Sequence, residues 1–457
     1  MVEHRPAYHL VPAANWMNDP NGPIQWRGDY HLFYQYNPDG AVSANKHWAH
    51  AVSGDLVRWE RLPVALAPGP DGYDSEGIWS GCVVDDDGSP VALYTGHPSQ
   101  TQCAAFGSDD LREWRKYEGN PVVGAPPDGM RVTGFRDPFA WREEDGWYMV
   151  VGSGIEGVGG AALLYRSDDL LTWTYLHPLC VGDAGETGVM WECPNFFPLG
   201  DRHVLVVSPY GKVVYFVGTY AGHRFRPERR GLVDLGGAYY APNCLLDDGG
   251  RRIMWGWITE HRGEGAQVRA GWSGVMSLPR ILSLQDDGTV ALRPVPELES
   301  LRGAHRRFAD LEVRAGERHV VQGVRGECLE IVARFAPGGA DAVGLKLLCS
   351  PDGEEETAIL CDRRAGRLRA ERGRSTLDPE CDRADHGDRF RPAPGEPLTL
   401  RVFLDRSVIE VFANQRVALT TRAYPTREDS LGLELLARGG TARLASLDVY
   451  EMQAIWR

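Results

Sequence analysis

Three acidic motifs contain the residues of this sequence that are best suited to chemistry. They are Asn18-Asp19-Pro20-Asn21-Gly22, Arg136-Asp137-Pro138 and Trp191-Glu192-Cys193-Pro194. Two carboxyl groups about 5–5.5 Å apart can hydrolyse a glycosidic bond with retention, because one attacks the anomeric carbon and the other protonates the departing oxygen. Taken singly, each motif also fits a plain turn, a surface ion pair or a satisfied polar residue.

The sequence neighbours of the three carboxyl groups predict different roles for them. Asp19 lies in a Pro/Asn/Gly turn whose amides can keep it ionised, as a nucleophile requires. Glu192 has apolar neighbours that favour its protonated form, as a general acid requires. Asp137 follows Arg136, which should keep it charged, so it can grip sugar hydroxyls and stabilise an oxocarbenium-like transition state.

A turn motif recurs at intervals of 55 and 59 residues. Its copies are Ser53-Gly54-Asp55-Leu56-Val57-Arg58-Trp59, Ser108-Asp109-Asp110-Leu111-Arg112-Glu113-Trp114 and Ser167-Asp168-Asp169-Leu170-Leu171-Thr172-Trp173. Each copy follows a β-rich run, so the unit is several strands closed by a turn. Such units predict a five-bladed β-propeller over residues 1–295, with the last two blades extrapolated from the spacing. The alternative is chance similarity among polar turns.

The same spacing gives the acidic motifs a common position. Asp19, Asp137 and Glu192 fall on the equivalent strand of different units, and if that strand is innermost they converge at one end of a channel. Trp79 with Ser80, and Tyr240, fall at the matching place in two further units. Aromatic and small polar residues beside carboxylates suit a sugar, which stacks its apolar face and hydrogen-bonds through its hydroxyls.

The character of the sequence changes near residue 295. A proline-rich stretch is followed by alternating strands, and Trp456 is the only tryptophan left. We therefore predict a linker at 296–302 and an antiparallel β-sandwich at 303–457, which makes the whole chain all-β. The second domain has no convincing catalytic cluster, and we expect it to support the first domain.

Charge and cysteine usage restrict the partners. A net charge of −14 makes nucleic acid and acidic membrane surfaces poor partners, whereas a small neutral carbohydrate is compatible. No stretch has transmembrane length, and residues 1–7 lack the features of a secretory signal. The nine cysteines show no metal-ligand spacing. We expect a cytoplasmic protein without a metal, secreted only if a signal peptide has been trimmed, and either monomeric or homodimeric.

Several long motifs resemble glycoside hydrolase family 32, which contains invertases, inulinases, levanases and fructan exohydrolases. The acidic motifs extend to Trp16-Met17-Asn18-Asp19-Pro20-Asn21-Gly22 and Glu192-Cys193-Pro194. Further matches are Phe33-Tyr34-Gln35-Tyr36-Asn37-Pro38, Lys46-His47-Trp48-Ala49-His50-Ala51-Val52-Ser53, Gly271-Trp272-Ser273-Gly274-Val275-Met276-Ser277-Leu278-Pro279-Arg280 and Asp405-Arg406-Ser407-Val408-Ile409-Glu410-Val411-Phe412. The resemblance spans nearly the whole chain.

The resemblance implies a retaining glycosidase that releases terminal β-D-fructofuranose without a cofactor. It implies Asp19 as nucleophile, Asp137 as transition-state stabiliser and Glu192 as acid/base. The matching fructose-pocket residues are Asn18, Gln35, Trp48, Ser80, Arg136 and Trp272, to which the spacing adds Trp79 and Tyr240. For Trp48, Trp79 and Trp272 the competing interpretation is a place in the propeller core.

Two departures from the family pattern concern the leaving-group side. Trp79-Ser80-Gly81 stands where Phe-Ser-Gly is frequent, and Ala238 stands where many members have an acidic residue. These departures put a preference for sucrose in doubt and leave oligofructans open. A fructosyltransferase shares all three carboxylates and is the main alternative. A five-bladed enzyme acting on arabinose- or xylose-containing glycans and a non-catalytic carbohydrate-binding protein are less favoured.

Overall fold

The structure, a computed structural model, describes residues 4–456 and is an all-β protein, which confirms the predicted class. The ends of the two predicted domains, residues 1–3 and 457, lie outside this range. Within it, the α-helices are α1 (Ala184–Thr187) and α2 (Glu264–Ala270). Neither of these helices is long and apolar enough to cross a membrane.

Residues 15–294 form five sheets, each built from strands that are nearly consecutive in sequence. The strands are β1 (Asn15–Trp26), β2 (Asp29–Asn37), β3 (His47–Ser53), β4 (Glu60–Leu66), β5 (Gly77–Asp86), β6 (Ser89–His97), β7 (Thr101–Gly107), β8 (Trp114–Lys116), β9 (Val132–Glu143), β10 (Gly146–Ile155), β11 (Gly159–Ser167), β12 (Thr174–Val181), β13 (Glu192–Leu199), β14 (Arg202–Ser208), β15 (Val214–Ala221), β16 (Arg224–Leu232), β17 (Tyr239–Leu246), β18 (Arg252–Ile258), β19 (Trp272–Ser273), β20 (Val275–Met276), β21 (Arg280–Leu284) and β22 (Val290–Pro294).

Sequential antiparallel pairing orders four of the sheets as β1 to β4, β5 to β8, β9 to β12 and β13 to β16. The fifth sheet has the order β17-β18-β21-β22, with β20 also paired to β18. The excursion between β18 and β21 carries β19 across to the first sheet, where it pairs parallel to β1. The end of this part of the chain is thereby joined to its beginning.

The first strands of the five sheets contact one another in a cycle. β1 contacts β5, β5 contacts β9, β9 contacts β13, β13 contacts β17, and β17 contacts β1. Side chains on these strands consequently face a common centre, whereas the fourth strands lie at the outer edges of their sheets.

The three repeated turns have one local structure. Each connects the third strand of its sheet to the fourth, and its leucine (Leu56, Leu111 and Leu170) has a positive φ of 60–66°. The carboxylate two residues after the serine accepts backbone N–H groups of the turn: Asp55 from Val57 and Arg58, Asp110 from Arg112, and Asp169 from Leu171 and Thr172. The sequence repeat therefore reflects a conserved Asx-type turn.

Residues 302–452 form two six-stranded sheets around a second hydrophobic core. The strands are β23 (Arg302–Arg314), β24 (His319–Arg325), β25 (Cys328–Phe335), β26 (Ala342–Cys349), β27 (Thr357–Asp362), β28 (Arg367–Glu371), β29 (His386–Arg389), β30 (Leu398–Asp405), β31 (Val408–Ala413), β32 (Val417–Arg422), β33 (Gly432–Arg438) and β34 (Thr441–Met452). The sheet orders are β23-β34-β25-β30-β31-β32 and β24-β33-β26-β27-β28-β29. Leucine, isoleucine and valine side chains from both sheets share one core.

The predicted linker is ordered. Residues Pro296–Leu301 form a 3-10 helix in which Leu298 and Leu301 are buried, and β23 begins directly afterwards at Arg302. Leu298 and Leu301 pack in the same cluster as Trp255 and Phe403, one from each side of the connection. The segment is therefore a packed junction.

Five buried ionic groups, here called the charge network, join the two halves of the chain. His9 lies 2.8 Å from Asp405 and 3.1 Å from Glu410, while Arg280 lies 2.5 Å from Glu410 and 2.7 Å from Asp234. All five side chains are at most 2 % exposed. Such an arrangement is stable only when the charges are paired and hydrogen-bonded.

Candidate active site

The first strand of each of the five sheets carries a β-bulge at the centre of the cycle. The register with the second strand shifts between Met17 and Pro20 on β1, Trp79 and Gly81 on β5, Arg136 and Phe139 on β9, Glu192 and Asn195 on β13, and Tyr240 and Asn243 on β17. Three bulge residues have positive φ: Asp137 at 65°, Cys193 at 46° and Ala241 at 45°. Bulges turn side chains away from the regular alternation, so these strands can direct polar groups towards the centre.

Asparagine side chains join the bulges of neighbouring sheets. Asn21 accepts the Gly81 N–H at 3.2 Å, and Asn243 donates to the Gly81 carbonyl at 2.9 Å. Asn195 donates to the Pro242 carbonyl at 2.9 Å. These asparagines each follow a proline in the sequence, so a recurring Pro-Asn pair is a signal of the site that the acidic motifs alone did not provide.

Asp19 is held by a short polar network. Ser80 donates to its Oδ2 at 2.7 Å, and Asn18 donates to its Oδ1 at 3.0 Å. Gln35 connects the two donors, because it accepts from Asn18 at 2.7 Å and donates to Ser80 at 2.6 Å. Burial raises the pKa of Asp19, the Glu192 charge raises it further, and the Ser80 and Asn18 hydrogen bonds oppose the rise. The carboxylate is fixed in place by neutral donors.

Glu192 is held by charged and phenolic groups. Arg136 donates to its Oε1 from Nε at 3.1 Å and from Nη2 at 2.7 Å, while Tyr240 Oη lies 2.5 Å from its Oε2. Burial and the Glu192 charge raise the pKa of Tyr240, so its hydroxyl keeps its proton and can donate. The sequence neighbours of Glu192 point away from it: Trp191 is fully buried, and Cys193 faces the two aspartates.

Asp137 lies deepest of the three carboxyl groups. It is 5 % exposed, and its Oδ2 accepts the Cys193 N–H at 2.9 Å. The Cys193 Sγ lies 3.5 Å from this oxygen and 3.6 Å from Asp19 Oδ2, so the thiol stands between the two aspartates. Burial raises the pKa of Asp137; the Arg136 charge opposes this rise, and the Glu192 and Asp19 charges add to it.

These surroundings correct two expectations drawn from sequence neighbours. Arg136 was expected to serve Asp137, but its guanidinium pairs with Glu192, because the bulge at residues 136–139 turns the two adjacent side chains apart. Glu192 was expected among apolar groups, but its contacts are with Arg136 and Tyr240. Adjacency along a bulged strand does not determine which side chains meet.

Aromatic rings border the carboxylates. Trp79 is half-buried and stacks on His97 with ring centroids 4.2 Å apart, and the cations of Lys46 and Arg136 each lie 5.7 Å from its ring. Tyr240 is also half-buried, and its ring meets that of Trp257 at 6.5 Å. Both predicted residues thus lie beside the carboxylates with part of their surface open.

Trp48 and Trp272 have other surroundings. Trp48 is 1 % exposed, and its indole N–H donates to the Trp79 carbonyl at 2.9 Å, so it supports the strand that carries Trp79. Trp272 is 5 % exposed and is contacted by the guanidinium of Arg262, 4.6 Å from its ring. Trp48 thus lies in the packed interior, whereas Trp272 lies where the two halves of the chain meet, and a role for either ring in binding stays a prediction.

Besides Cys193 and the three asparagines, further residues at the site were not among the predicted ones. Trp16 donates its indole N–H to Asn18 Oδ1 at 2.8 Å. Burial lowers the pKa of Lys46, and the charges of all three carboxylates oppose this fall only in part. Tyr210 is 60 % exposed and belongs to no sequence motif, but its hydroxyl accepts from Arg136 Nη2 at 3.1 Å.

Ala238 also differs from expectation. It was expected near the leaving group, but it is fully buried in a cluster with Trp272, Ile258 and Val275. Tyr210, on the loop after β14, is an exposed residue that contacts Arg136. The open rim therefore depends on a position that no sequence pattern marked.

Two groups among residues 4–456 bring possible metal ligands within 4.8 Å of one another: His261, Asp382 and His386, and Glu143, Asp145 and His223. Neither includes Asp19, Asp137 or Glu192. In the first group the Arg372 guanidinium lies 3.1 Å from His386 and 3.3 Å from Asp382, so a metal ion there would be repelled by an existing positive charge. The chemistry of the three carboxylates is argued below from the protein side chains.

An all-β fold that gathers three carboxyl groups from separate strands, beside half-buried aromatic rings and hydrogen-bonding amides, defines a glycosidase. Comparison with protein families agrees: the N-terminal domain of glycosyl hydrolases family 32 matches residues 9–294, and the family's C-terminal domain matches residues 297–451. The chain belongs to glycosyl hydrolase family 32.

Curated relatives of known activity match over almost the whole chain. A sucrose-6-phosphate hydrolase of Escherichia coli is 36 % identical over 99 % of this chain and 94 % of its own length, and one of Zymomonas mobilis is 35 % identical over 99 % and 93 %. Among solved structures, fructan 1-exohydrolase IIa from Cichorium intybus superposes with a TM-score of 0.91 at 29 % identity and covers 99 % of this chain and 98 % of that one. The chain is a glycosidase of the β-fructofuranosidase type.

Proposed function

We propose that the chain releases terminal β-D-fructofuranose from sucrose or short fructans by two displacements at the anomeric carbon. Asp19 is the nucleophile, Glu192 is the general acid and then the general base, and Asp137 stabilises the transition state. Asn18, Gln35, Ser80, Arg136, Trp79 and Tyr240 bind and orient the sugar, directly or through the carboxylates. The observation that carries the proposal is that the first strands of three sheets bring Asp19, Asp137 and Glu192 together, with Cys193 Sγ 3.6 Å from Asp19 Oδ2 and 3.5 Å from Asp137 Oδ2.

Asp19 is suited to attack the anomeric carbon. Its two oxygens are fixed by Ser80 and Asn18, so the carboxylate is positioned before the sugar arrives. Neutral donors support the carboxylate without pairing it to a cation, and the raised pKa of Asp19 makes it a stronger nucleophile once ionised. Attack forms a bond from Asp19 to the fructosyl carbon as the bond to the departing oxygen breaks.

Glu192 is suited to move a proton to and from the departing oxygen. Arg136 and Tyr240 fix one carboxyl oxygen each, which sets the orientation of the group before the sugar arrives. Glu192 gives its proton to the leaving sugar and then takes one from the water that cleaves the fructosyl ester of Asp19. Tyr210, which is 60 % exposed, accepts from Arg136 at 3.1 Å, and we place the leaving sugar beside it.

Asp137 is suited to hold the sugar hydroxyls while positive charge develops on the ring. Its low exposure and the Cys193 N–H keep the carboxylate in a fixed position. Hydrogen bonds from two hydroxyls to a desolvated carboxylate strengthen as the oxocarbenium-like state forms. The same desolvation is the cause of the raised pKa of Asp137.

A substrate panel tests this proposal. Sucrose, sucrose 6-phosphate, 1-kestose and short levan oligosaccharides are incubated separately, and free fructose is measured against larger products. We expect free fructose to dominate. Oligosaccharides in large excess over free fructose at high sucrose concentration would instead establish the fructosyltransferase alternative.

The stereochemistry gives an independent test. Proton and carbon NMR of the earliest product should show β-fructofuranose before mutarotation, because two displacements restore the original configuration. Early α-product would contradict Asp19 as a nucleophile and favour an inverting enzyme. A protein that binds 1-kestose without any turnover would be the carbohydrate-binding alternative.

The finer fold assignment is also proposed. The five sheets are taken as the blades of a five-bladed β-propeller over residues 1–295, followed by a junction at 296–302 and a β-sandwich at 303–457. The cycle of contacts among β1, β5, β9, β13 and β17 supports the propeller, and the shared core of two six-stranded sheets supports the sandwich. A small neutral carbohydrate is the partner that this site suits.

A cytoplasmic location is proposed on the state of the thiols. All nine cysteines are free, and eight of them are buried. Free buried thiols are typical of proteins that fold in a reducing compartment. Fractionation of the native host, with an enzyme assay on each fraction, tests this location.

A further inference from the structure

A second cavity lies where the two halves of the chain meet. Its volume is about 670 Å³, and we call it the basic cleft, lined by Arg5, Arg262, Arg269, Asp378, Tyr424 and Thr426 among others. This volume falls within the range of about 300–1,000 Å³ typical of small-molecule sites. The cleft brings three guanidinium groups and one carboxylate together in a chain whose net charge is −14.

Buried positive charge behind the cleft exceeds the buried negative charge. Arg262 and Arg422 are 6 % and 0 % exposed, and both face Glu260, which is 2 % exposed. Arg262 pairs with Glu260 at 2.6 Å, but Arg422 lies 3.8 Å away. Burial raises the pKa of Glu260, yet the charges of Arg422 and Arg262 outweigh burial and lower it to about 2. One carboxylate serves two guanidinium groups.

Several N–H groups of these arginines have no acceptor within residues 4–456. They are Arg262 Nε, Arg422 Nε and Arg422 Nη1. The rings of Trp272 and Tyr424 cover the two guanidinium groups at 4.6–5.9 Å and accommodate part of the charge. These N–H groups are themselves buried, so an anion in the cleft would meet the positive charge of the two guanidinium groups through space and would not accept a hydrogen bond from these atoms.

The lowered pKa values of two neighbouring histidines reflect the same excess of positive charge. Burial lowers the pKa of His4, and the Arg262 and Arg422 charges lower it further. Burial, followed by the charges of Arg372, His386 and Arg422, lowers the pKa of His261 to about 3. Both histidines are therefore neutral at physiological pH, and the excess charge belongs to the arginines.

We propose that the basic cleft binds a small phosphorylated sugar, at a site separate from the catalytic carboxylates. Guanidinium groups match phosphate oxygens through paired hydrogen bonds. The volume exceeds what a single inorganic anion fills, and Asp378 and the hydroxyl of Thr426, which itself donates to Glu355, offer acceptors to sugar hydroxyls. Arg269 is 67 % exposed and lies 3.0 Å from Glu380, which is 58 % exposed; such an exposed ion pair is weak, so Arg269 can exchange Glu380 for the phosphate.

Calorimetric titration of the full-length protein tests the proposal with glucose 6-phosphate, glucose and inorganic phosphate as probes. Glucose 6-phosphate should bind, glucose should give no binding heat, and inorganic phosphate should bind about tenfold more weakly or less. Arg269→Glu should weaken glucose 6-phosphate binding by about tenfold or more, because it replaces a phosphate donor with a like charge. Sucrose hydrolysis by this variant should equal that of the wild type.

Arg443→Glu is the matched control, since Arg443 is 70 % exposed and pairs with the equally exposed Asp310 elsewhere on the surface. It should bind glucose 6-phosphate like the wild type. Equal binding by Arg269→Glu and the wild type would overturn the proposal, as would equal affinity for inorganic phosphate and glucose 6-phosphate. Purely competitive inhibition of sucrose hydrolysis by glucose 6-phosphate would also overturn it, by placing the sugar phosphate in the catalytic cavity. Lack of sucrose hydrolysis would count against the proposed function alone.

Discussion

The proposed catalytic cavity, which contains Asp19, Asp137 and Glu192, and the charge network contain the same kinds of groups but differ in how their charges are paired. Each has three buried or half-buried carboxylates and two cations: Asp19, Asp137 and Glu192 with Arg136 and Lys46 in the cavity, and Asp234, Asp405 and Glu410 with His9 and Arg280 in the network. In the network every carboxylate touches a cation. In the cavity Glu192 is the carboxylate in an ion pair, and Asp19 and Asp137 rely on neutral donors.

The pKa values express this difference. Burial raises the pKa of Glu410, but the Arg280 charge and the His9 hydrogen bond outweigh burial and lower it. In the cavity burial prevails, and the pKa values of Asp19 and Asp137 are raised. Paired carboxylates stabilise the fold, whereas under-compensated carboxylates store unfavourable charge that a developing cation on the sugar can relieve.

Replacing the nucleophile should separate activity from stability most sharply. Asp19→Asn should lower kcat on sucrose by about 10⁴-fold or more, the scale found when a catalytic nucleophile is removed. The free energy of unfolding should be unchanged or higher, because a desolvated charge is lost. Urea unfolding and initial-rate kinetics check both parts, and substantial residual turnover would remove Asp19 from the mechanism.

Breaking the charge network should give the converse result. Glu410→Gln leaves Arg280 and His9 without their shared carboxylate and should lower the free energy of unfolding by about 3–5 kcal/mol. The kcat of the folded fraction should stay within a few-fold of the wild type. Asp310→Asn, at an exposed ion pair, is the control and should have no measurable effect on unfolding. A large loss of kcat in folded Glu410→Gln would contradict a purely structural role.

The pH dependence of the free energy of unfolding should reveal the charge state of His9. Both of its ring nitrogens face carboxylate oxygens, which only accept, so His9 is an imidazolium. Burial lowers its pKa, but Asp405 and Glu410 outweigh burial and raise it above 6.5. The stabilisation of the fold by His9 is therefore complete below the pKa of His9 in the unfolded chain and is lost as pH rises through its pKa in the folded protein.

Comparing unfolding of the wild type and His9→Asn at several pH values checks this sign. The stability difference between the two proteins should be largest near pH 6 and should shrink towards about pH 9. His305→Asn, at a half-exposed pair with Asp448, provides the control. A difference that grew with pH would mean that His9 is neutral in the folded protein.

The smallest effect is expected from the donor on the nucleophile. The Ser80 hydroxyl lowers the pKa of Asp19, so Ser80→Ala should move the acidic limb of kcat/KM to higher pH by about one unit or less. A pH profile with sucrose measures the shift, and Ser283→Ala on β21 is the control. An acidic limb that moved to lower pH would show that another group controls it.

Regular features of the fold followed from the sequence. The repeated turns share one hydrogen-bond pattern and occur at the same place in each of three sheets, so their interval in the sequence gave the number of residues per sheet. That spacing also related Asp19, Asp137 and Glu192, which lie on the first strands of their sheets. The fourth and fifth sheets close differently, by the short hairpin between β15 and β16 and by the long excursion after β18, so they carried no such signal.

Side-chain partners were harder to predict. Arg136 and Asp137 are adjacent, yet the bulge sends one towards Glu192 and the other towards Cys193. Trp272 lies in a conspicuous motif, yet β19 carries it to the boundary between the halves. Tyr210 belongs to a loop without periodicity. Direction at bulges and loops depends on tertiary contacts that one sequence does not encode locally.

The clasp of the first residues by Asp405 has a consequence for synthesis of the chain. Asp405 accepts the N–H groups of Ala7, Tyr8 and His9, and 396 residues separate His9 from it. At about 5–20 residues per second, the ribosome takes about 20–80 s to supply that partner. During this interval the segment leading to β1 lacks its anchor, so in a truncated or stalled product β1, the strand that contains Asp19, would be exposed to proteases.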